Sequence, residues 1–377
     1  MELKLFVTCC QGLEPLLAQE LIDMGYDQIQ EGFRGVHVEV PDFQSIYRIN
    51  YCSRLGARVL LPLSDFVCFD QRSLYKGASK VDWNQYIPEG CTFAIDANVN
   101  HKMLRNSLFA AQVVKDAICD QLRELRGTRP SIDVKTPDVQ LNLFIHQERG
   151  ILSFDTSGMP LHKRGYRQET VEAPLQETLA AAILKIADYK GDEVLYDPCC
   201  GSGTILIEAA LIASRTAPGF LRREWGFMRL PQFSHSEWLR VKVEEDSKRM
   251  PLEKGKIYGS DVNRNTVRIA KGNLRAAGFL QAVEVKDGDF RDLTPDPAPT
   301  FVVTNPPYGN RMGEEEMLYG LYLELGDFMK QKTAKPARGY IFTGNLNLAK
   351  SVGLSPKRRY VMSNSGIESR LLEFDLY

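Results

Sequence analysis

Val194-Leu195-Tyr196-Asp197-Pro198-Cys199-Cys200-Gly201-Ser202-Gly203-Thr204 is a short apolar run that ends in an acid and passes at once into a glycine-rich turn. Val194 to Tyr196 read as a buried parallel strand, Gly201 and Gly203 as a turn needing close backbone approach, and Ile205 to Ile212 as the next helix. A dinucleotide site uses the same strand, turn and helix, but its fingerprint asks for a third glycine where this chain has Leu206. The Asp197 carboxylate would also repel a pyrophosphate, whereas it suits a cationic or hydroxyl-bearing ligand. S-adenosylmethionine fits, with its positive sulfonium, its ammonium, and a body that Gly201 and Gly203 leave room for. Taken alone, the stretch also admits an ordinary tight βα turn or another nucleotide site.

A second stretch narrows the choice. Phe301-Val302-Val303-Thr304 reads as another buried strand and runs into Asn305-Pro306-Pro307-Tyr308-Gly309. Two prolines in succession hold the backbone extended and leave its carbonyls without ladder partners. The exocyclic amine of a nucleobase is a poor nucleophile because its lone pair is delocalised into the ring. Hydrogen bonds to the Asn305 side-chain oxygen and the Pro306 carbonyl would localise that pair and aim it at a methyl donor, with Tyr308 stacked on the base. Asn305, Pro306, Pro307 and Tyr308 are therefore the catalytic candidates, set against a plain Pro-Pro turn with a core tyrosine.

At 377 residues the chain is expected to hold two or three domains. A net charge of −1 argues against non-specific coating of nucleic acid and leaves room for a local basic face. Eight cysteines are scattered, with no C-x-x-C and no histidine at metal spacing, a pattern of reduced thiols without a metal. Met1-Glu2-Leu3-Lys4 lacks a signal-peptide layout, and no apolar run approaches membrane-spanning length, so a soluble cytoplasmic protein is expected, with no membrane partner.

The front of the chain alternates strand and helix. Leu3 to Val7, a helix with Leu13, Leu16, Leu17 and Leu21 on one face, an edge-like strand with Val36, Val38 and Val40, a helix over Phe43 to Asn50 and a strand over Ala57 to Leu63 give a ferredoxin-like subdomain at 1–64. Beyond it come a helix near Gln71 to Lys80, a strand at Thr92 to Ala97, a long helix from Ser107 to Leu125, and strands at Ile132-Asp133-Val134, Val139 to His146 and Gly150 to Asp155. His101, Lys102, Arg105 and Asn106 gather where that long helix starts, a place that favours phosphate, although such a cluster is often only a solvated helix start.

With Cys52-Ser53-Arg54-Leu55 at its entry and Lys102-Met103-Leu104-Arg105-Asn106-Ser107 before the long helix, the segment 45–157 resembles a THUMP domain, an RNA-binding module of tRNA- and rRNA-modifying enzymes. Leu161-His162-Lys163-Arg164-Gly165-Tyr166-Arg167, Ala173-Pro174-Leu175, the glycine turn and Asn305 to Gly309 together are similar to the bacterial 23S rRNA guanine-N2 methyltransferases. The match covers nearly the whole chain. Some members carry a second methyltransferase unit, and this chain, ending at Tyr377, is expected to hold one. The resemblance implies S-adenosylmethionine as cofactor and RNA as partner, with 23S rRNA ahead of tRNA. It puts RNA contacts at Arg54, Lys102, Arg105, Asn106 and the basic connector 158–172, where Lys163, Arg164, Tyr166 and Arg167 would meet substrate; a mere linker is the other reading.

A doubly wound catalytic domain is expected over 173–377. The cofactor would lie against Asp197, Pro198, Cys199, Gly201, Ser202, Gly203 and Thr204, with Asn305 beside it. Asp261, at the tip of the strand Ile257 to Asp261, is placed to meet a ribose diol. Asp289 with Phe290, after the third strand, matches the family's adenine site. The aromatic and basic stretch 216–250 is expected to be a capping flap with its own small core. Strands at Phe301, Tyr340 to Thr343, Arg359 to Met362 and Leu371 to Leu376 finish a sheet with an antiparallel final pair, as in the class I methyltransferase fold. The leading function is methyl transfer to a guanosine N2 in 23S rRNA. The alternatives are a tRNA guanine-N2 enzyme, an adenine-N6 nucleic-acid enzyme, and a non-catalytic RNA-binding factor.

Overall fold

Strand β1 (Leu3–Thr8) buries Leu5 and Val7 and turns Lys4 outward, the period of two of a strand with one dry face. The computed structural model describes residues 3–171, 174–309, 314–364 and 366–377. They form two units, one of residues up to Cys9, 17–161 and 222–243, the other of residues 10–16, 162–221 and 244–377. The expected linker end at Glu172 and domain start at Ala173 lie outside the described residues.

After β1 the chain runs through α1 (Glu14–Asp23), β2 (Ile29–Gly32), β3 (Gly35–Val40), α2 (Gln44–Cys52), β4 (Arg58–Val67), α3 (Gln71–Ser79), α4 (Trp83–Tyr86), β5 (Phe93–Asn100), α5 (Ser107–Arg126), β6 (Val139–His146) and β7 (Arg149–Asp155). The seven strands form one sheet in the order β2-β3-β1-β4-β7-β6-β5. The ferredoxin-like and THUMP segments thus share a sheet, and β4 is the seam. Its start, Arg58 to Leu60, pairs with β1 and the stretch Leu60 to Val67 with β7, with a register shift between Pro62 and Ser64, where the proline cannot donate to a ladder. Strand β3 is not an edge, because β2 covers it in a hairpin whose Ile-Gln-Glu-Gly carries one large apolar residue and no legible alternation. The expected strand at Ile132 to Val134 reduces to a single bridge from Ile132 to Phe93, for Val134 is exposed and nothing draws it into the sheet.

The stretch 216–250 also corrects its expectation as a self-contained flap. Residues 222–243 belong to the first unit, where Trp225, Phe227, Phe233 and Trp238 pack on Tyr47 and Tyr51 of α2. The Tyr47 and Phe227 rings lie 4.7 Å apart, and the Phe227 N–H donates to Thr156 O at 2.7 Å. A small core of its own would leave these rings half wet; joining the α2 aromatics buries Trp225, Phe227 and Trp238.

The second sheet carries β8 (Leu195–Asp197), β9 (Ile257–Asp261), β10 (Val283–Asp287), β11 (Phe301–Thr304), β12 (Ala337–Thr343), β13 (Arg358–Asn364) and β14 (Ile367–Leu376) in the order β10-β9-β8-β11-β12-β14-β13. Strand β14 is antiparallel to both its neighbours, while the other pairs are parallel. Helix α6 (Glu177–Ile186) precedes β8, and α7 (Thr204–Ala213), α8 (His235–Asp246), α9 (Arg264–Ala276), α10 (Glu314–Gln331) and α11 (Leu346–Lys350) fall between the strands in sequence. Strand order reverses at β8, so the chain leaves β8 and β11 on opposite courses and opens a crevice beyond their carboxyl ends.

Candidate active site

Asp197 closes β8 with 1% of its surface exposed, and its Oδ1 accepts from the Cys199 N–H at 3.1 Å. Burial pushes its carboxyl up to about 7, against the pull of the Thr304 hydroxyl and the Cys199 N–H, and the neighbouring Asp261 charge adds to the rise. Gly201 has φ +54°, and a Cβ there would meet nothing within 4 Å, so the turn is open on that side. Gly203 has φ +82° and lies against Ala270 of α9, which a Cβ would approach to 3.3 Å. The Gly201 N–H donates to Asp261 Oδ2 at 3.1 Å, which ties the turn to the tip of β9.

These elements and β11 line a cavity of about 430 Å³. Asp197, Cys199, Gly201, Ser202, Thr204 and Asp261 face it, as do all four residues Asn305 to Tyr308. Sequence reasoning missed Val171, Pro174, Leu175, Ile205 and Thr266 on its wall. Their signal was weak, since Ile205 on α7 reads as core, Thr266 on α9 as an ordinary helix residue, and Val171, Pro174 and Leu175 lie in irregular chain before α6. Pro198 and Gly203 shape the turn behind the wall, with Pro198 O accepting from Ser260 and the Gly203 N–H donating to Cys200 O. Phe290 corrects its expectation as a cofactor contact: it is 3% exposed and packs edge-on against Phe328 in the core. Asp289 does not line the cavity and is ion-paired with Arg291.

The Asn305 side-chain oxygen is buried and has no hydrogen-bond partner among the described residues, although Asn305 lines the cavity. An unsatisfied buried acceptor costs about 1 to 3 kcal/mol, so a donor is missing that a ligand would supply. Tyr308 is held more firmly. Its hydroxyl accepts from Asn364 Nδ2 at 3.1 Å and its backbone oxygen from Asn345 Nδ2 at 3.3 Å.

The connector corrects three RNA-contact expectations. Arg164 and Tyr166 are buried: the Tyr166 hydroxyl donates to Glu208 Oε1 of α7 at 3.0 Å, and Arg164 Nε lies 3.6 Å from the same atom. Arg167 is turned inward to Glu177, Ser202, Leu175 and Thr204. A basic run read as a wet face is a structural strap because α7 carries a buried carboxylate, invisible as such in sequence. Lys163 remains exposed. In the first unit Lys102 and Arg105 are exposed, Asn106 caps α5 by accepting from the Leu108 and Phe109 N–H groups, and Arg54 is half-buried, with its backbone N–H on Glu20.

A seven-stranded sheet of this order and strand direction, with a glycine turn after β8 at the point where strand order reverses, defines a class I methyltransferase fold. The chain belongs to the RMKL-like methyltransferase family, whose domain model matches residues 164–372; a THUMP model matches 70–155 and an RlmL ferredoxin-like model 4–60. It is 36% identical over 99% of its length to a Synechocystis protein named "Putative RNA methyltransferase slr0064", covering 96% of that protein. It is 39% identical to the ribosomal RNA large subunit methyltransferase K/L of Syntrophotalea carbinolica over 99% of its own length. The chain covers 54% of that relative and 51% of the K/L protein of Methylococcus capsulatus, about half of each. The crystal structure of SMU.472, "a putative methyltransferase complexed with SAH", superposes over 100% of this chain and 98% of that one, with a TM-score of 0.88 and 27% identity.

Proposed function

We propose that this protein transfers a methyl group from S-adenosylmethionine to the exocyclic N2 amine of a guanosine in 23S rRNA, in the cytoplasm. One observation carries the reading: a buried amide oxygen at Asn305 without a donor shares a cavity with a glycine turn flanked by two acids. Asn305 Oδ1 and the Pro306 carbonyl are acceptors for an amine's two hydrogens, and holding them draws the lone pair out of the ring and fixes its direction. Asp197, Asp261 and the open side of Gly201 fit a cationic, hydroxyl-bearing cofactor, which when bound supplies the electrophilic methyl. Tyr308 offers the base a ring to stack on.

The RNA handle in this reading is the start of α5. Lys102 and Arg105 are exposed there beside Met103 and Leu108, each 77% exposed, so phosphate-binding charge and apolar contact surface lie together. The K/L relatives are named for ribosomal RNA, which favours rRNA over tRNA.

The test is mass spectrometry of nucleosides from 23S rRNA and tRNA after incubation with enzyme and labelled S-adenosylmethionine, with Asn305→Ala in parallel. N2-methylguanosine in rRNA is expected, with Asn305→Ala slower by about two to three orders of magnitude and cofactor affinity unchanged. Label in tRNA alone, label on adenine N6, or no transfer with RNA bound would each replace this reading by one of its alternatives.

A further inference from the structure

Gly201 and Gly203 give the cofactor turn no side chains with which to pin itself, and glycine loses more freedom on ordering than any other residue. Something else must hold it. Ser202, between them, is gripped from two sides: its hydroxyl accepts from Arg167 Nη1 at 3.1 Å, and its carbonyl accepts from Asn273 Nδ2 at 3.1 Å. Resting on the cofactor reading above, we propose that Arg167 and Asn273 are positioning residues which preorganise the glycine turn and thereby set cofactor affinity without touching the cofactor.

Arg167 fans its donors across three parts of the unit. Nε meets Glu177 Oε1 at 2.8 Å at the start of α6, Nη2 meets Leu175 O at 3.0 Å and Thr204 Oγ1 at 3.0 Å, and Nη1 meets Ser202. Ser202, Thr204 and Leu175 line the cavity, and Arg167 stands behind them. Asn273, 1% exposed on α9, accepts from the Gln168 N–H at 2.9 Å and donates to Glu169 O at 3.3 Å as well as to Ser202. The strap 167–169 is thus bound to the turn by two side chains whose polar atoms are used up within the protein. A turn held in binding geometry spares the ligand the cost of ordering it.

Arginine is required at 167 because a planar fork reaches several acceptors at once, whereas a lysine ammonium keeps the charge for Glu177 and loses the spread. The test is calorimetry with S-adenosylhomocysteine on the full chain for wild type, Arg167→Lys, Asn273→Ser, Glu177→Gln and the double variant Arg167→Lys/Glu177→Gln. Melting curves without ligand and steady-state methylation of unmodified 23S rRNA accompany it. Each single variant is expected to lose about tenfold in affinity and to raise the cofactor KM by a similar factor with kcat at saturation kept. The double variant should fall no further than about twofold below Arg167→Lys, because both changes weaken the same Arg167–Glu177 contact. Glu177→Gln is isosteric and lies off the cavity wall, and with Asn273→Ser it decides the matter even if Arg167→Lys does not fold. Unchanged affinity in Glu177→Gln and Asn273→Ser, additive losses, or a fall in kcat at constant KM would overturn the proposal. A wild type that binds no S-adenosylhomocysteine sinks the cofactor reading and this one with it, whereas a wild type that binds beside indifferent variants sinks only this one.

Discussion

Asn364, the last residue of β13, donates its side-chain Nδ2 to the Tyr308 hydroxyl at 3.1 Å and so fixes the ring that ends Asn-Pro-Pro-Tyr. Gly344 makes room for that ring, since a Cβ there would stand 3.1 Å from Tyr308 Cε2. Tyr308→Phe keeps the stacking face and loses one hydrogen bond of about 1 kcal/mol, so single-turnover methylation should slow roughly fivefold. Asn364→Ala should match it, and the double variant should be no worse than either. Tyr308→Ala removes the platform and should cost at least a hundredfold. Additive losses in Tyr308→Phe/Asn364→Ala would show that the two act separately.

Asp197 predicts how cofactor binding depends on pH. Its carboxyl is raised to about 7 by burial, and a cationic ligand binds the carboxylate. Affinity is therefore full above that value and falls as pH drops through it, by about tenfold between pH 8 and pH 6 from this one group. Asp197→Asn should bind more weakly and lose that component. Titration calorimetry at the two pH values checks it; an equal pH response in Asp197→Asn would assign the proton elsewhere.

Asp261 has two duties in the structure. Its Oδ2 holds the Gly201 N–H, and it lines the cavity at the tip of β9. Asp261→Ala should lose at least tenfold in cofactor affinity, a charge-assisted hydrogen bond being worth about 1.5 to 3 kcal/mol. Asp261→Asn keeps an acceptor for Gly201 and should fall between the two. Calorimetric affinity equal to wild type in Asp261→Ala contradicts both duties.

Cutting the chain near Arg164 looks from the sequence like a clean separation of two domains. The structure predicts otherwise, because residues 222–243 pack in the first unit. A fragment 164–377 carries Trp225, Phe227, Phe233 and Trp238 without Tyr47 and Tyr51, and should bind a hydrophobic dye and aggregate where the full chain stays monodisperse. Light scattering and dye fluorescence measure this directly. A monodisperse, dye-negative fragment would mean that the segment forms a core alone.

Most of the catalytic fold was legible because its signals are local. The apolar runs ahead of Asp197 and Asn305 read as buried strands and are strands β8 and β11, and β9 falls where composition puts it. Strand β2 was not legible, for Ile29 to Gly32 draws its place from the hairpin with β3 and from no pattern of its own.

The sequence by itself determined the polar chemistry of the cavity: glycine at 201, acids at 197 and 261, and Asn305 before two prolines are chemical requirements written in residue type and spacing. Only the tertiary structure decided what charge and aromaticity are for. Arg164, Tyr166 and Arg167 read as a wet basic face, yet Glu208 and Glu177 are buried opposite them and turn them inward. Phe290 reads as a cofactor contact, yet Phe328 draws it into the core. A side chain's partner across the fold lies tens to hundreds of residues away, and the desolvation that forces the pairing exists only once both have left water.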